Sequence, residues 1–152
     1  MGAQKGGEMK QDVGTLIVAE AQKWMDAKTP YRHQADVLGV GVDCAMLLVR
    51  VFCDLELVPM IDPRPYATDW HLHRSEEKYL SWVTDYATKV DEPQPGDVAL
   101  FKFGRCLSHG GIVDAVTPDI TMIHADLRAG RVERTEVRRW ADRLAGYWRV
   151  CP

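Results

Sequence analysis

Between Asp91 and Gly96 the chain runs Asp-Glu-Pro-Gln-Pro-Gly, and no regular element passes through two prolines and a glycine at that spacing. The break separates two differently patterned stretches. Before it, apolar residues recur with helical spacing; after it come short runs of strand length divided by turn residues. From Asp12 to Ala27 the apolar positions are Val13, Leu16, Ile17, Ala21, Trp24 and Met25, one face of a helix that Thr29-Pro30 ends. A second run from Asp43 through Leu48, Val51 and Phe52 to about Leu57 predicts another helix, with Asp43 as its N-cap. A third is expected from Ser75-Glu76-Glu77 onward, with Leu80, Val83, Tyr86 and Val90 on its apolar side. Pro59, Pro63 and Pro65, with Tyr66 and Trp70, predict a packed loop between the second and third.

Beyond Gly96, strands are expected near Val98 to Phe103, His109 to Ala115, Ile120 to Ala125, Val132 to Thr135 and Tyr147 to Val150, with a short helix near Glu136 to Arg143. Turns fall at Thr117-Pro118-Asp119 and Arg128-Ala129-Gly130. Helices first and antiparallel strands second, without βαβ alternation, predict an α+β fold in which N-terminal helices pack on a mostly antiparallel sheet of five to six strands.

With 152 residues, a single domain over 12–152 is expected, preceded by a flexible lead-in over 1–11 that is polar, Gly-rich and without the apolar region of a signal peptide. Synthesis in the cytoplasm follows from that reading. A 46% apolar content, 27% charged residues and a mean hydropathy of -0.25, without a run of about 18 apolar residues, argue against a membrane span. The net charge of -3 gives no footprint for nucleic acid, and Arg128 to Arg143, interleaved with Asp and Glu, reads as a solvated face. Cys44, Cys53, Cys106 and Cys151 show no paired spacing, so neither a zinc ribbon nor a disulfide framework is indicated, and no cofactor is implied.

Cys44 follows the expected N-cap, where first-turn amides and the helix dipole favour a thiolate and the oxyanion of an attacked carbonyl. A buried structural cysteine is the plain alternative. His109 opens a strand and precedes Gly110-Gly111, a pair that admits a close neighbour; a loop histidine beside a β-bulge would look the same. His124 lies opposite His109 if the intervening loop centres between Val116 and Thr117; it then shares a face with Ile120 and Met122, while Ile123 points the other way. Together the three residues match a nucleophile, a general base and a group that orients the base. A Cys/His/His zinc site, with His71 and His73 as further ligands, is the competing reading, but no fourth ligand is placed by spacing.

The segments Val42-Asp43-Cys44-Ala45, Pro95-Gly96-Asp97-Val98, Ser108-His109-Gly110-Gly111-Ile112 and Ile123-His124-Ala125 resemble the NlpC-type family of papain-like cell-wall cysteine peptidases. Tyr31-Arg32-His33-Gln34 and Asp69-Trp70 resemble its phage-tail branch. The resemblance implies a papain-like core, a Cys44/His109/His124 triad and hydrolysis of peptidoglycan stem peptides, usually between D-glutamate and diaminopimelate. It also implies assembly with phage-tail proteins and action on the cell wall. Tyr31 and Asp43 are the family's site-lining positions, and Ser108 and Trp70 join them as substrate-binding candidates. Met46 departs from the small residue common there, and is expected to narrow the cleft or press on neighbouring packing. A non-catalytic tail component of the same fold, and an amidase or acyltransferase using the same triad, are the alternatives.

Overall fold

A computed structural model describes residues 12–66, 78–103 and 106–150. The lead-in over 1–11, Asp69, Trp70, His71, His73, the third helix's expected start at Ser75-Glu76-Glu77, and Cys151 lie outside the described residues. Helix α1 spans Val13–Asp26 and turns Ile17, Ala21 and Trp24 inward, the i, i+4, i+7 stripe its sequence carries. Helix α2, Cys44–Asp54, is buried on nearly every side, from Cys44 through Val49 and again from Val51 to Cys53. An 11-residue helix apolar everywhere but at Arg50 and Asp54 is stable only inside a core. Each fully buried Leu or Phe there contributes about 1.5–3 kcal/mol. Asp43 caps it, with Oδ1 accepting from Met46 N at 2.9 Å.

Between the two helices, β1 (Asp36–Val37) and β2 (Gly41–Val42) form a small antiparallel hairpin that the helical periodicity on either side gave no reason to expect. Helix α3, Lys78–Tyr86, ends four residues earlier than its apolar pattern suggests, because Ala87–Val90 is strand β3. Its pairing with β8 (Leu144–Val150), Val90 opposite Tyr147, is a long-range contact that overrides local periodicity.

The main sheet is completed by β4 (Val98–Phe103), β5 (Cys106–Ala115), β6 (Thr121–Asp126) and β7 (Arg131–Glu136), in the order β3-β8-β4-β5-β6-β7, every neighbouring pair antiparallel. One face, carrying Val98, Leu100, Ile112, Ile123 and Ala125, packs on the helices. The other, carrying Ala99, Phe101, Val113 and Met122, is covered by the 3-10 segment Val137–Arg143. Helix α2 approaches β5 so closely that a Cβ on Gly110 would lie 2.8 Å from Leu48 Cδ1. The Pro95-Gly96 corner is equally tight: Gly96 takes φ +98° and a Cβ there would meet Gly14 Cα of α1 at 2.5 Å, so only glycine fits. Asp97 then holds β8 to this corner through Arg149 Nε and Nη2 at 2.9 and 2.8 Å.

Candidate active site

The site forms where the start of α2 meets the middle of the sheet. The segment before α2 is stitched by Tyr31 bridging to Val42, by Val42 N donating to Pro30 O at 3.1 Å, and by Arg32 N donating to Val42 O at 3.0 Å. Asp43 is fully buried and ties three segments together. Beyond its cap bond, its Oδ2 accepts from Gln34 N at 2.7 Å and from the Tyr66 hydroxyl, while His33 Nδ1 stands 3.9 Å away. Burial raises the Asp43 carboxyl above its usual range, with the Tyr66, Met46 and Gln34 hydrogen bonds opposing that rise. Tyr31 is pushed upward first by burial, then by the charges of Cys44, Asp43 and Asp126.

Cys44 is 4% exposed, and its Sγ donates to the carbonyl of Ser108 at 3.7 Å. That carbonyl is available because β5 carries a bulge. Phe101 pairs His109 and Lys102 pairs Leu107, so Ser108 is the surplus residue between two ladder positions. A bulged residue turns its backbone groups out of the ladder. The Ser108 hydroxyl is itself buried and has no hydrogen-bond partner among the described residues.

His109 packs with Phe101 and Trp140 and His124 with Trp140, while Ile123 faces the opposite way from Met122. The two rings meet, His109 Nε2 to His124 Nδ1 at 2.7 Å, with ring planes at 83°. They are not directly opposite, as a loop centred between Val116 and Thr117 would require. The observed register, Ile112 with Ile123 and Val113 with Met122, centres the loop one residue later and places the histidines on a diagonal. The far nitrogen of His124, Nε2, meets Thr135 Oγ1 at 2.9 Å. Burial holds His109 well below an imidazole's usual 6.5, with His124 adding to the effect. Burial likewise lowers His124 to about 4, against a smaller opposing pull from Asp126.

Trp140 roofs the pair, stacked on His109 with centroids 4.7 Å apart and edge-on to His124 at 5.5 Å. Sequence reasoning did not single out Trp140, Thr135 or the partnership of Tyr66 with Asp43, and it quoted Gln34 only within the Tyr31-Arg32-His33-Gln34 segment, without its bond to Asp43. Only Thr135 carried a usable signal, since strand alternation puts it on the His124 face of β7, diagonal to His124, which pairs with Glu133. Met46 is 1% exposed within the core, so its length is absorbed by packing. Among the described residues no group of three or more His, Cys, Asp or Glu side chains is arranged to hold a metal ion.

A scan against protein-family models finds no match, and a search of curated proteins finds none either. Solved structures do match. The NlpC/p60 domain of the peptidoglycan hydrolase SagA superposes with a TM-score of 0.59 at 22% identity, covering 91% of this chain and 98% of that one. An NlpC/P60 family protein from Bacillus cereus gives 0.67 at 16% identity, with 95% of this chain and 42% of the other covered. An N-acetylmuramoyl-L-alanine amidase from Bacteroides uniformis gives 0.61 at 11%, covering 92% and 99%. At these identities the likeness is one of fold, and the fold is the NlpC/p60 papain-like one.

Proposed function

We propose that this chain is a cysteine peptidase that hydrolyses peptidoglycan stem peptides, with Cys44 as nucleophile, His109 as general base and His124 as the residue that orients the base. The supporting observation is the 2.7 Å bond between His109 Nε2 and His124 Nδ1, beside a bulge whose carbonyl receives the Cys44 thiol. If His109 donates through Nε2 and His124 donates onward from its Nε2 to Thr135, the Nδ1 lone pair of His109 is left as the base. Burial keeps both rings neutral before substrate arrives. The Sγ proton then passes to His109 Nδ1 as sulfur adds to the peptide carbonyl, and the first-turn amides of α2 face the developing oxyanion. Collapse expels the amine, which takes that proton, and leaves a thioester that water hydrolyses with His109 again as base.

The peptidoglycan hydrolase and amidase among the structural neighbours support a cell-wall substrate. The bond between D-glutamate and diaminopimelate, and delivery by a phage tail, follow from the resemblance of the sequence segments quoted above. The amidase likeness favours a second reading, in which the same trio releases the stem peptide from its sugar. Product analysis on defined muropeptides separates the two. Cys44→Ala is expected to abolish turnover while the fold survives, and unchanged turnover would remove the mechanism. A thiol-directed electrophile should label Cys44 in the native protein but not after His109→Ala; equal labelling favours a non-catalytic tail component.

A further inference from the structure

Three buried polar side-chain atoms have no hydrogen-bond partner among the described residues: Arg50 Nε, Trp82 Nε1 and Ser108 Oγ. Arg50 is otherwise paired, through its terminal nitrogens, with Asp36 and Asp54, and Trp82 stands edge-on to Phe52 in the core. Ser108 differs from both, because its own carbonyl receives the Cys44 thiol at 3.7 Å. The bulge leaves this residue without a cross-strand partner, and its Oγ is sealed from solvent although the residue as a whole is half-buried. A donor left unpaired in the interior is a cost to the fold, and alanine would close the same bulge without that cost. A partner that exists only during the reaction accounts for the hydroxyl.

We propose that the Ser108 hydroxyl is a catalytic donor to the sulfur of Cys44, idle while the thiol is protonated and engaged once the thiolate forms. The inference rests on the peptidase reading, whose nucleophile and base it takes over, and adds the group that steadies the charged sulfur. While the thiol keeps its proton, S–H points to the Ser108 carbonyl and the sulfur needs no donor. When that proton passes to His109, the S–H bond breaks, the Nδ1–H bond forms, and the carbonyl is left facing an anion. The hydroxyl hangs from the same residue, and rotation about its side-chain bonds turns it to donate, its own proton staying on oxygen. A hydroxyl and a charged acceptor make one of the stronger hydrogen bonds. Three donors at this end of α2 are already committed: Met46 N to Asp43 Oδ1 at 2.9 Å, Leu47 N to Asp43 O at 3.0 Å, and the Tyr66 hydroxyl to Asp43 Oδ2. Cys44 is 4% exposed, so bulk water does little in their place. The titratable groups that act with Cys44 are Asp43 beside it in the chain, His109 on β5, and Tyr31 and Tyr66, both pushed up by burial first and in part by charge on Cys44. All four are the same in the proteins compared below, so a changed profile reports the hydroxyl.

The test follows alkylation of Cys44 by iodoacetamide across about pH 5 to 10, read at that residue by peptide mass, in the wild type, Ser108→Ala and Ser108→Thr. Near neutral pH Ser108→Ala should react roughly tenfold more slowly, and the gap should close at the alkaline end, where the thiol is ionised without help. Ser108→Thr keeps the hydroxyl and should stay within about twofold of the wild type. The urea midpoint of Ser108→Ala should be level with the wild type or higher, because the idle donor is gone. An unchanged pH profile in Ser108→Ala, a loss of equal size at every pH, or a lowered urea midpoint overturns the inference. Alkylation needs no peptide, so the two readings separate. If the pattern is seen but the wild type cleaves no stem peptide, the donor role stands and the peptidase reading falls; if stem peptides are cleaved equally by the wild type and Ser108→Ala, the reverse holds.

Discussion

His109 and His124 touch through their rings although the ladder does not set them face to face. One position along from the Ile112 and Ile123 pair, His124 stands opposite Gly111, and a Cβ on Gly111 would lie 3.2 Å from His124 Cβ. The missing side chain opens the diagonal along which the imidazole of His124 reaches that of His109.

Gly111→Ala should therefore damage catalysis more than its size suggests. The added methyl also falls 2.7 Å from Met122 Sδ in a fully buried position, so overpacking of about 1–3 kcal/mol is expected. Chemical denaturation should report that loss, and kcat should fall by more than tenfold as His124 is displaced.

Thr135→Val removes the oxygen that meets His124 Nε2 and keeps the shape. Freed from that bond, His124 can take the other tautomer and donate toward His109. With about 1–1.5 kcal/mol at stake, kcat should drop roughly tenfold while KM stays unchanged. Steady-state kinetics on a defined stem peptide give the answer, and a loss confined to KM would contradict the orienting role.

Stability should fall on acidification. Both imidazoles sit below the ordinary 6.5 because burial opposes their charging, so the unfolded chain takes up protons first as pH drops. Their contribution is intact above about pH 6.5 and is lost as pH falls toward the His124 value of about 4. Urea midpoints between pH 7.5 and 4.5 should trace that decline, which His124→Gln should flatten. Trp140→Leu admits water to His109, so the acid limb of kcat/KM should move upward toward 6.5.

Tyr66→Phe deletes a hydroxyl that donates to the buried Asp43 carboxylate and leaves the ring in place. A hydrogen bond to a charged group is worth about 1.5–3 kcal/mol, and that loss should appear in the unfolding free energy. Asp43→Asn should cost at least as much, because whichever way the amide is turned its nitrogen faces donors, Met46 N on one side or Gln34 N and the Tyr66 hydroxyl on the other. A neutral result for both would mean that Asp43 does not hold the three segments together.

Much of this was legible in the residues themselves. The stripe Ile17, Ala21, Trp24, the Asp43 cap and the alternation through Met122, Ile123 and His124 are local, and the structure follows them. What was not legible depends on partners distant in sequence. Ala87–Val90 continues the apolar period of α3 and becomes a strand only because β8 lies beside it. The two histidines are expected opposite each other only if the loop centres between Val116 and Thr117, whereas Ala115 pairs Thr121 and centres it later, and the irregularity between Val113 and Ala115 recovers only one position. Tyr66 and Trp140 reach Asp43 and His109 from segments whose paths no short-range pattern specifies.

The surplus residue in β5 separates two design problems. Phe101 and Lys102 keep opposite phase on β4, and their partners His109 and Leu107 follow, so the sheet's inside and outside survive the insertion. Excising Ser108 would restore an unbroken ladder and leave both layers sealed, yet it would withdraw the acceptor beneath the Cys44 sulfur. Chemistry here is mounted on a detachable backbone offset, and the scaffold is able to outlive it.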